Sequence, residues 1–424
     1  MTTSTQRTLM LLLLTTLLSA CVSNDIYRKD FKSCEVTSQH SCEAHSIQRH
    51  NTGSDKEYLV GFVEIDDQGQ LRDRAQMRAL LDELYTMAAK ESLLINVFVH
   101  GWHHNAKPGD SNVESFRQSL GELSKAEHSL NKKPRKVVGV YVGWRGESLN
   151  VPVLNLITFW DRKNTAQLVG HRGAMVELLL RLEQISNVKN TQELPVKSRL
   201  VIVGHSFGGA AVYSATSQIL ADRFVDSRSG KSSVDSAKGF GDLVVLLNPA
   251  FEALSYAPLY DLAQARCSYF DNQQPKLVVL TSEADNATKY AFPLGRSIST
   301  FFENHGTIER NDCKRSLSYS EGAADRHSVG HFEPLLTHEL RPASNRPKAI
   351  YGEARNIWSQ QQPGGAMQFG STELVSLNKT AIRNPYLNVK VDKLLISGHN
   401  DVFRPEILEF LRMLIVSAGE EENK

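Results

Sequence analysis

The chain has almost no excess of either charge: 48 lysines and arginines stand against 47 aspartates and glutamates, a formal +1. No basic block interrupts that balance, and the 4 tryptophans are scattered rather than grouped. Without a polyanion-tracking stripe or a base-stacking platform, nucleic acid is not an expected partner. There is no internal repeat, which excludes a repeat architecture. No Cys-x-x-Cys pair occurs among the 5 cysteines, so zinc and dithiol redox chemistry have no scaffold and no metal is expected. The apolar run of residues 9–18 is too short to span a bilayer stably. What is present is 424 residues, 41% hydrophobic and 22% charged, enough for one large domain with insertions or for two domains.

Arg7 precedes the apolar run, which ends in Leu18-Ser19-Ala20-Cys21. This start reads as a targeting segment and resembles the bacterial lipoprotein signal. The resemblance implies cleavage before Cys21 and a diacylglycerol on its thiol; an ordinary secretory peptide that happens to contain a cysteine is the alternative. Val22 rather than aspartate follows, which by the same resemblance implies the outer membrane of a Gram-negative envelope, facing the periplasm or the exterior. Such an anchor tethers a body that is itself soluble. Setting Cys21 aside leaves Cys34, Cys42, Cys267 and Cys313. An even number in an exported chain suggests two disulfides, Cys34 with Cys42 closing a short loop and Cys267 with Cys313 stapling a later insertion.

Residues 1–20 are thus expected as signal peptide and 21–55, polar and without apolar register, as a linker from Cys21. Short runs rich in Val, Ile and Leu follow at residues 57–65, 93–99, 136–142, 199–203, 242–247, 276–281 and 393–397. Strands apolar on both faces belong in a sheet covered on both sides, hence mostly parallel. Helical stripes alternate with them: Met77, Leu80, Leu81, Leu84 and Met87; Met175, Leu178, Leu182 and Ile185; and a closing stripe of Ile407, Leu408, Leu411, Leu414 and Ile415 behind Pro405. The alternation predicts a three-layer α/β sandwich with a mostly parallel sheet. Two segments interrupt it. Residues 146–160 are apolar without strand or helix period, and 286–389 form a long cap-like insertion between the last two strands. The core then divides into 56–285 and 390–424.

In Gly204-His205-Ser206-Phe207-Gly208 the apolar strand must reverse into a helix rich in small residues. Glycines at 204 and 208 remove Cβ atoms that would collide, and the serine takes a strained conformation that projects Oγ past the sheet edge. An alcohol needs a base in hydrogen-bond reach to act as a nucleophile. His399, in "KLLISGHND", follows the last predicted strand, where side chains converge on the carboxyl edge. The acid should follow an earlier strand, and Asp285 in "TSEADNAT" is preferred, with Glu283, Glu252 and Asp401 as rivals and an Asx-turn as its alternative role. Oxyanion donors are expected from the backbone N–H of Phe207, at a helix start, and of Trp102, aimed by Gly101 in "VFVHGWHHNA". His100 is expected to buttress that loop. The adjacent His103 and His104 cannot easily chelate one ion. Trp144 and Arg145 follow the strand preceding the nucleophile strand; with His100 and Phe159, in the apolar stretch 151–160, they are the candidate substrate contacts, a domain salt bridge being the commoner use of such an arginine.

Together these residues resemble the α/β-hydrolase superfamily, and more closely its esterases and lipases. The resemblance covers residues 57 to about 416. It implies Ser206 as nucleophile, Asp285 as acid, His399 as base, acyl transfer to water, and no cofactor. "HGWHHNA", "YVGWRG", "SEAD" and "ISGHND" look like a subgroup of serine hydrolases of poorly defined substrate. The expected activity is cleavage of carboxylic esters, small-molecule or lipid. The same triad cleaves thioesters and amides, and a membrane-tethered binding protein that keeps the fold without the chemistry is the reading from another class. The long insertion departs from the pattern: caps in this family often precede the acid, whereas this one follows it.

Overall fold

The computed structural model describes residues 25–145, 163, 165–188, 196–229, 232–233, 236–345, 347 and 349–418. Its centre is a twelve-stranded sheet. In chain order the strands are β1 (Asp30–Glu35), β2 (His45–His50), β3 (Tyr58–Glu64), β4 (Leu93–Val99), β5 (Lys136–Gly143), β6 (Arg199–His205), β7 (Leu243–Leu247), β8 (Leu277–Ser282), β9 (His338–Pro342), β10 (Ala366–Phe369), β11 (Thr372–Ser376) and β12 (Tyr386–Val391). They lie side by side as β1-β2-β3-β5-β4-β6-β7-β8-β12-β9-β11-β10. Every pairing from β3 across to β9 is parallel. The antiparallel pairings are β2 with β3, β9 with β11 and β11 with β10.

Successive side chains of a strand point to opposite faces, and the central strands serve two cores in this way. In β4, Leu93, Ile95, Val97 and Val99 enter one core while Leu94 and Phe98 enter the other. The helices that cover these faces are α1 (Arg74–Ala88), α2 (Ser111–Leu130), α3 (Ala174–Ser186), α4 (Phe207–Asp226), α5 (Ala253–Gln264), α6 (Phe292–Ser299), α7 (Glu321–Arg326), α8 (Ala354–Ser359) and α9 (Pro405–Ser417). Leu80 and Leu84 of α1, Leu178 and Leu182 of α3, Val212 of α4 and Tyr256 of α5 fill the first core. Phe116 and Leu120 of α2, Trp358 of α8 and Phe410 and Leu414 of α9 fill the second. The chain is therefore a mixed α/β protein with a large, mostly parallel sheet between helical layers. Asp73 and Asp110 accept from backbone amides to cap α1 and α2, and Pro405 opens α9.

Three expectations are corrected. Residues 25–55 are not a linker: β1 and β2 extend the sheet, and Cys34 and Cys42 are bonded across the turn between them, Cα atoms 5.9 Å apart. The edge strand β1 buries only Cys34, and in β2 beside it only Ser46, Ile47 and Gln48 are buried, so the stretch shows no apolar rhythm. Residues 393–397 are a turn, with the amides of Leu395 and Ile396 donating to the Asp392 carbonyl and Leu394 exposed. The strand lies upstream as β12, disguised by Asn388, whose side chain donates to the Val329 and Leu335 carbonyls, and by Lys390, paired with Glu339. The division at residue 390 therefore falls inside a strand. Finally, the stretch 286–385 supplies β9, β10 and β11 to the main sheet, so it is not solely a cap. Its remainder includes α6, a hairpin (Thr307–Asn311 with Ser316–Ser320) and α7. Cys267 and Cys313, with Cα atoms 5.2 Å apart, bond the hairpin turn to the chain leaving α5. Residues 1–24 and 146–162, which include Cys21, Val22, Phe159 and the apolar stretch 151–160, lie outside the described residues.

Candidate active site

β6 ends at His205 and α4 begins at Phe207, leaving Ser206 alone to turn the chain. Its φ of 56° and ψ of −121° are costly for a residue with a Cβ, on the order of 1–3 kcal/mol. The glycines permit the crossing. A Cβ on Gly204 would lie 2.7 Å from the Gly209 Cα, and one on Gly208 would lie 2.2 Å from the Val99 carbonyl oxygen and 2.4 Å from that of His100. The backbone is then bonded in place: the Ser206 amide donates to the Leu247 carbonyl at 2.9 Å, and its own carbonyl accepts from Ala210 and Ala250.

His399, on the loop after β12, meets this serine. The Ser206 hydroxyl donates to His399 Nε2 at 2.7 Å, and His399 Nδ1 lies 2.9 Å from both oxygens of Asp285. A carboxylate only accepts, so the proton sits on Nδ1 and Nε2 faces the serine as an acceptor. Asp285 follows the end of β8 and is fully buried. Burial raises its pKa, but hydrogen bonds from His399 and Thr288 outweigh that and hold it below the ordinary carboxylate value. Asp285 also accepts the amides of Ala287 and Thr288, so the Asx-turn and the contact with histidine are one arrangement. The Thr288 hydroxyl donates to Asp285 and accepts from His331 Nε2 at 3.1 Å. The rivals are engaged elsewhere: Glu252 with Lys163 and Arg296, Asp401 with Ser397 and Arg404, and Glu283 with the Lys393 amide.

In comparisons with protein-family models, with characterised proteins and with solved structures, nothing matches this chain.

The loop after β4 abuts Ser206, since a Cβ on Gly101 would lie 2.8 Å from the Ser206 Cβ. Phe207 opens α4, at the positive end of the helix dipole. Trp102 packs half-buried on the core and stacks on His103 at 4.0 Å. The assignment of His100 and Trp144 as substrate contacts is corrected, because both are buried and hold each other. The Trp144 amide donates to His100 Nε2 at 3.1 Å, the Trp144 indole N–H donates to the His100 carbonyl at 2.9 Å, and the rings stack. His100 Nδ1–H donates to the Gly101 carbonyl at 2.8 Å, and burial pushes its pKa down to about 4. His100 is a buttress. Arg145 is ion-paired with Asp67, and His104 Nδ1–H donates to Asp110 at 3.2 Å while Nε2 accepts from Asn112. Among the described residues, Glu303, His305 and Asp325 bring possible ligand atoms within 4.8 Å of one another. Arg296, paired to Asp325, opposes a cation there.

One part of the site escaped sequence reasoning. The His399 carbonyl accepts from His205 Nε2 and from Asn248 Nδ2, each at 2.9 Å. Asn248 in turn accepts the Ser282 amide at 2.9 Å, and the Ser282 hydroxyl donates to the Ile396 carbonyl. His205 is buried, and burial pushes its pKa down to about 3, so it stays neutral. A weak signal existed: His205 sits inside the glycine-serine motif, and Asn248-Pro249 is a turn pair ending a buried strand.

Proposed function

We propose that the chain is a serine hydrolase of the α/β-hydrolase type that cleaves carboxylic esters through an acyl-enzyme. The observation that carries this reading is the line from Ser206 Oγ to His399 Nε2 at 2.7 Å and from His399 Nδ1 to Asp285 at 2.9 Å. The chain order of nucleophile, acid and base, each beyond the carboxyl end of a parallel strand, agrees with it.

His399 takes the Ser206 proton as Oγ attacks the ester carbonyl, and Asp285 stabilises the resulting imidazolium. The Phe207 and Trp102 amides hold the oxyanion, with the loop of Trp102 kept against the serine by Gly101 and braced by His100. His399 then protonates the leaving alcohol, activates water, and frees the acid. The residues after Asp285, including α6 and the disulfide-tied hairpin, serve as a cap beside the site. The lipid on Cys21 holds the enzyme in the envelope. Every residue type the chemistry needs is present and in contact, which favours catalysis over a tethered binding role.

The test is labelling with a fluorophosphonate together with p-nitrophenyl esters of graded chain length. The wild-type chain is expected to form an adduct on Ser206. Ser206→Ala is expected to lose both the adduct and at least about 10⁴-fold in turnover. A folded wild-type chain that takes no label returns the protein to the binding class. Acyl-CoA and peptide panels beside the esters assign thioester or amide preference.

A further inference from the structure

Five large apolar side chains stand exposed just beyond the acid: Tyr290 (63%), Leu294 (58%), Ile298 (68%), Phe301 (76%) and Phe302 (94%). The first three recur every four residues, so they share one face of α6 and the turn before it. The opposite face is committed to the protein. Phe292 and Gly295 are buried, and Arg296 pairs with Glu252 at 3.1 Å and with Asp325. Glu252 follows the carboxyl end of β7 and Asp285 that of β8, so α6 lies on the carboxyl rim of the sheet with its apolar stripe turned outward. Contiguous exposed apolar surface of this kind marks a contact with something else.

The other end of that rim receives the start of the described chain. The amides of Tyr27 and Arg28 donate to Glu64, at the carboxyl end of β3, and the Arg28 guanidinium donates to the Ala106 carbonyl beyond β4. Cys21 precedes Tyr27 closely enough that an extended chain reaches about 20 Å from this point. In the sheet order β3 and β8 stand on either side of β6, which carries the nucleophile. At strand spacings of about 4.8 Å they are roughly 24 Å apart. The start of the described chain, Ser206 and the apolar stripe therefore fall along one rim.

We infer that this rim docks on a lipid bilayer, with the lipid of Cys21 at one end and Tyr290, Leu294, Ile298, Phe301 and Phe302 dipping into the interface at the other, so that Ser206 is presented to membrane-embedded esters. No described helix is long and apolar enough to cross a membrane, and aromatic residues beside Leu and Ile suit an interfacial contact. The docking rests on the anchor read at Cys21, and the choice of substrate rests on the serine hydrolase reading.

The test uses the full lipidated chain in phosphatidylethanolamine/phosphatidylglycerol vesicles, with a single NBD-labelled thiol at Phe302→Cys or, as control, Lys132→Cys at the amino end of β5. Wild type labelled in parallel gives the blank. On vesicles the probe at 302 is expected to be at least fivefold less accessible to iodide than the probe at 132, and to be quenched by nitroxide-labelled lipid. Equal iodide access at both positions overturns the docking. Protection from iodide without quenching by the labelled lipid assigns the stripe to a second copy of the chain and also overturns it. The triple variant Leu294→Asp/Phe301→Asp/Phe302→Asp should hydrolyse a vesicle-embedded ester at least tenfold more slowly while keeping its rate on soluble p-nitrophenyl acetate. An unchanged rate on the embedded ester overturns the presentation of substrate. A wild-type chain with no esterase activity sinks the functional reading, and the two probe positions still decide the docking.

Discussion

Ser206 and His399 are held by different physics. The turn at Ser206 is held by exclusion: Gly204 and Gly208 leave no room for a Cβ, and the serine has one conformation that joins β6 to α4. The loop carrying His399 has no such steric frame. Its carbonyls at 396, 398 and 399 are held by side chains from three neighbouring strand ends, Ser282, Asn248 and His205. One partner is fixed by what cannot fit and the other by what must be paired. Damage to the first should therefore appear as lost folding, and damage to the second as lost rate.

The largest expected effect lies at the turn. In Gly208→Ala the new methyl meets two backbone carbonyl oxygens at the end of β4, which cannot rotate away as a side chain could. We expect a loss of more than about 3 kcal/mol in denaturant unfolding, or no folded protein. A loss below about 1 kcal/mol would show that the crossing is slack and would erase the contrast. The matching change on the base side is Asn248→Ala, which takes one donor from the His399 carbonyl and leaves the buried Ser282 amide without its acceptor. Turnover should fall roughly 10- to 100-fold with little change in KM, because the lost bonds, worth on the order of 1–3 kcal/mol, position the base rather than bind substrate. A KM effect without a kcat effect would mean that Asn248 works on the substrate.

The same contrast explains what the sequence disclosed. Steric necessity writes itself locally: glycines at 204 and 208 around a serine, behind an apolar strand, are readable because no other residues fit. The central strands β3 to β8 were legible for a similar reason, each being apolar on both faces. Hydrogen-bonded necessity is distributed. The partners of the His399 carbonyl lie 194 and 151 residues away, and no local pattern ties His205 or Asn248 to it. Strand β12 was missed on the same grounds, since its buried Asn388 reads as polar until the carbonyls of Val329 and Leu335 are seen to receive it. Strand β1, at the sheet edge, and its neighbour β2 bury too little to show a period. Asp285 and Glu283 both follow β8, and only the contact with His399 separates them.

His205 belongs to both regions, and it links them to pH. Burial pushes its pKa down to about 3, and does the same to His100, His331 and His338, each to about 4. These values lie below the unfolded value of about 6.5. The unfolded chain therefore takes up protons that the folded chain refuses, and stability present above that value is lost as pH falls from about 6.5 toward 4. Each such imidazole contributes up to about 1.4 kcal/mol per pH unit. The melting temperature should drop steadily between pH 7 and pH 5, and His205→Gln, which keeps a donor, should make the slope shallower. A flat profile would mean that these rings are not held neutral.

The smallest effect isolates strain at the turn. Ser206→Ala and Ser206→Gly both remove the hydroxyl and its bond to His399, so their difference reports the backbone alone. Alanine keeps the Cβ at φ 56°, whereas glycine relieves it at a cost of about 0.5–1 kcal/mol in unfolded-chain entropy. Set against strain of about 1–3 kcal/mol, the glycine variant should be the more stable by about 1 kcal/mol, read as a higher melting temperature. At His399, which does not share that positive φ, the same pair of changes should reverse, with glycine the less stable. If glycine failed to outrank alanine at 206, Ser206 would be held as His399 is, by its hydrogen bonds, and the steric frame would be a consequence of packing rather than its cause.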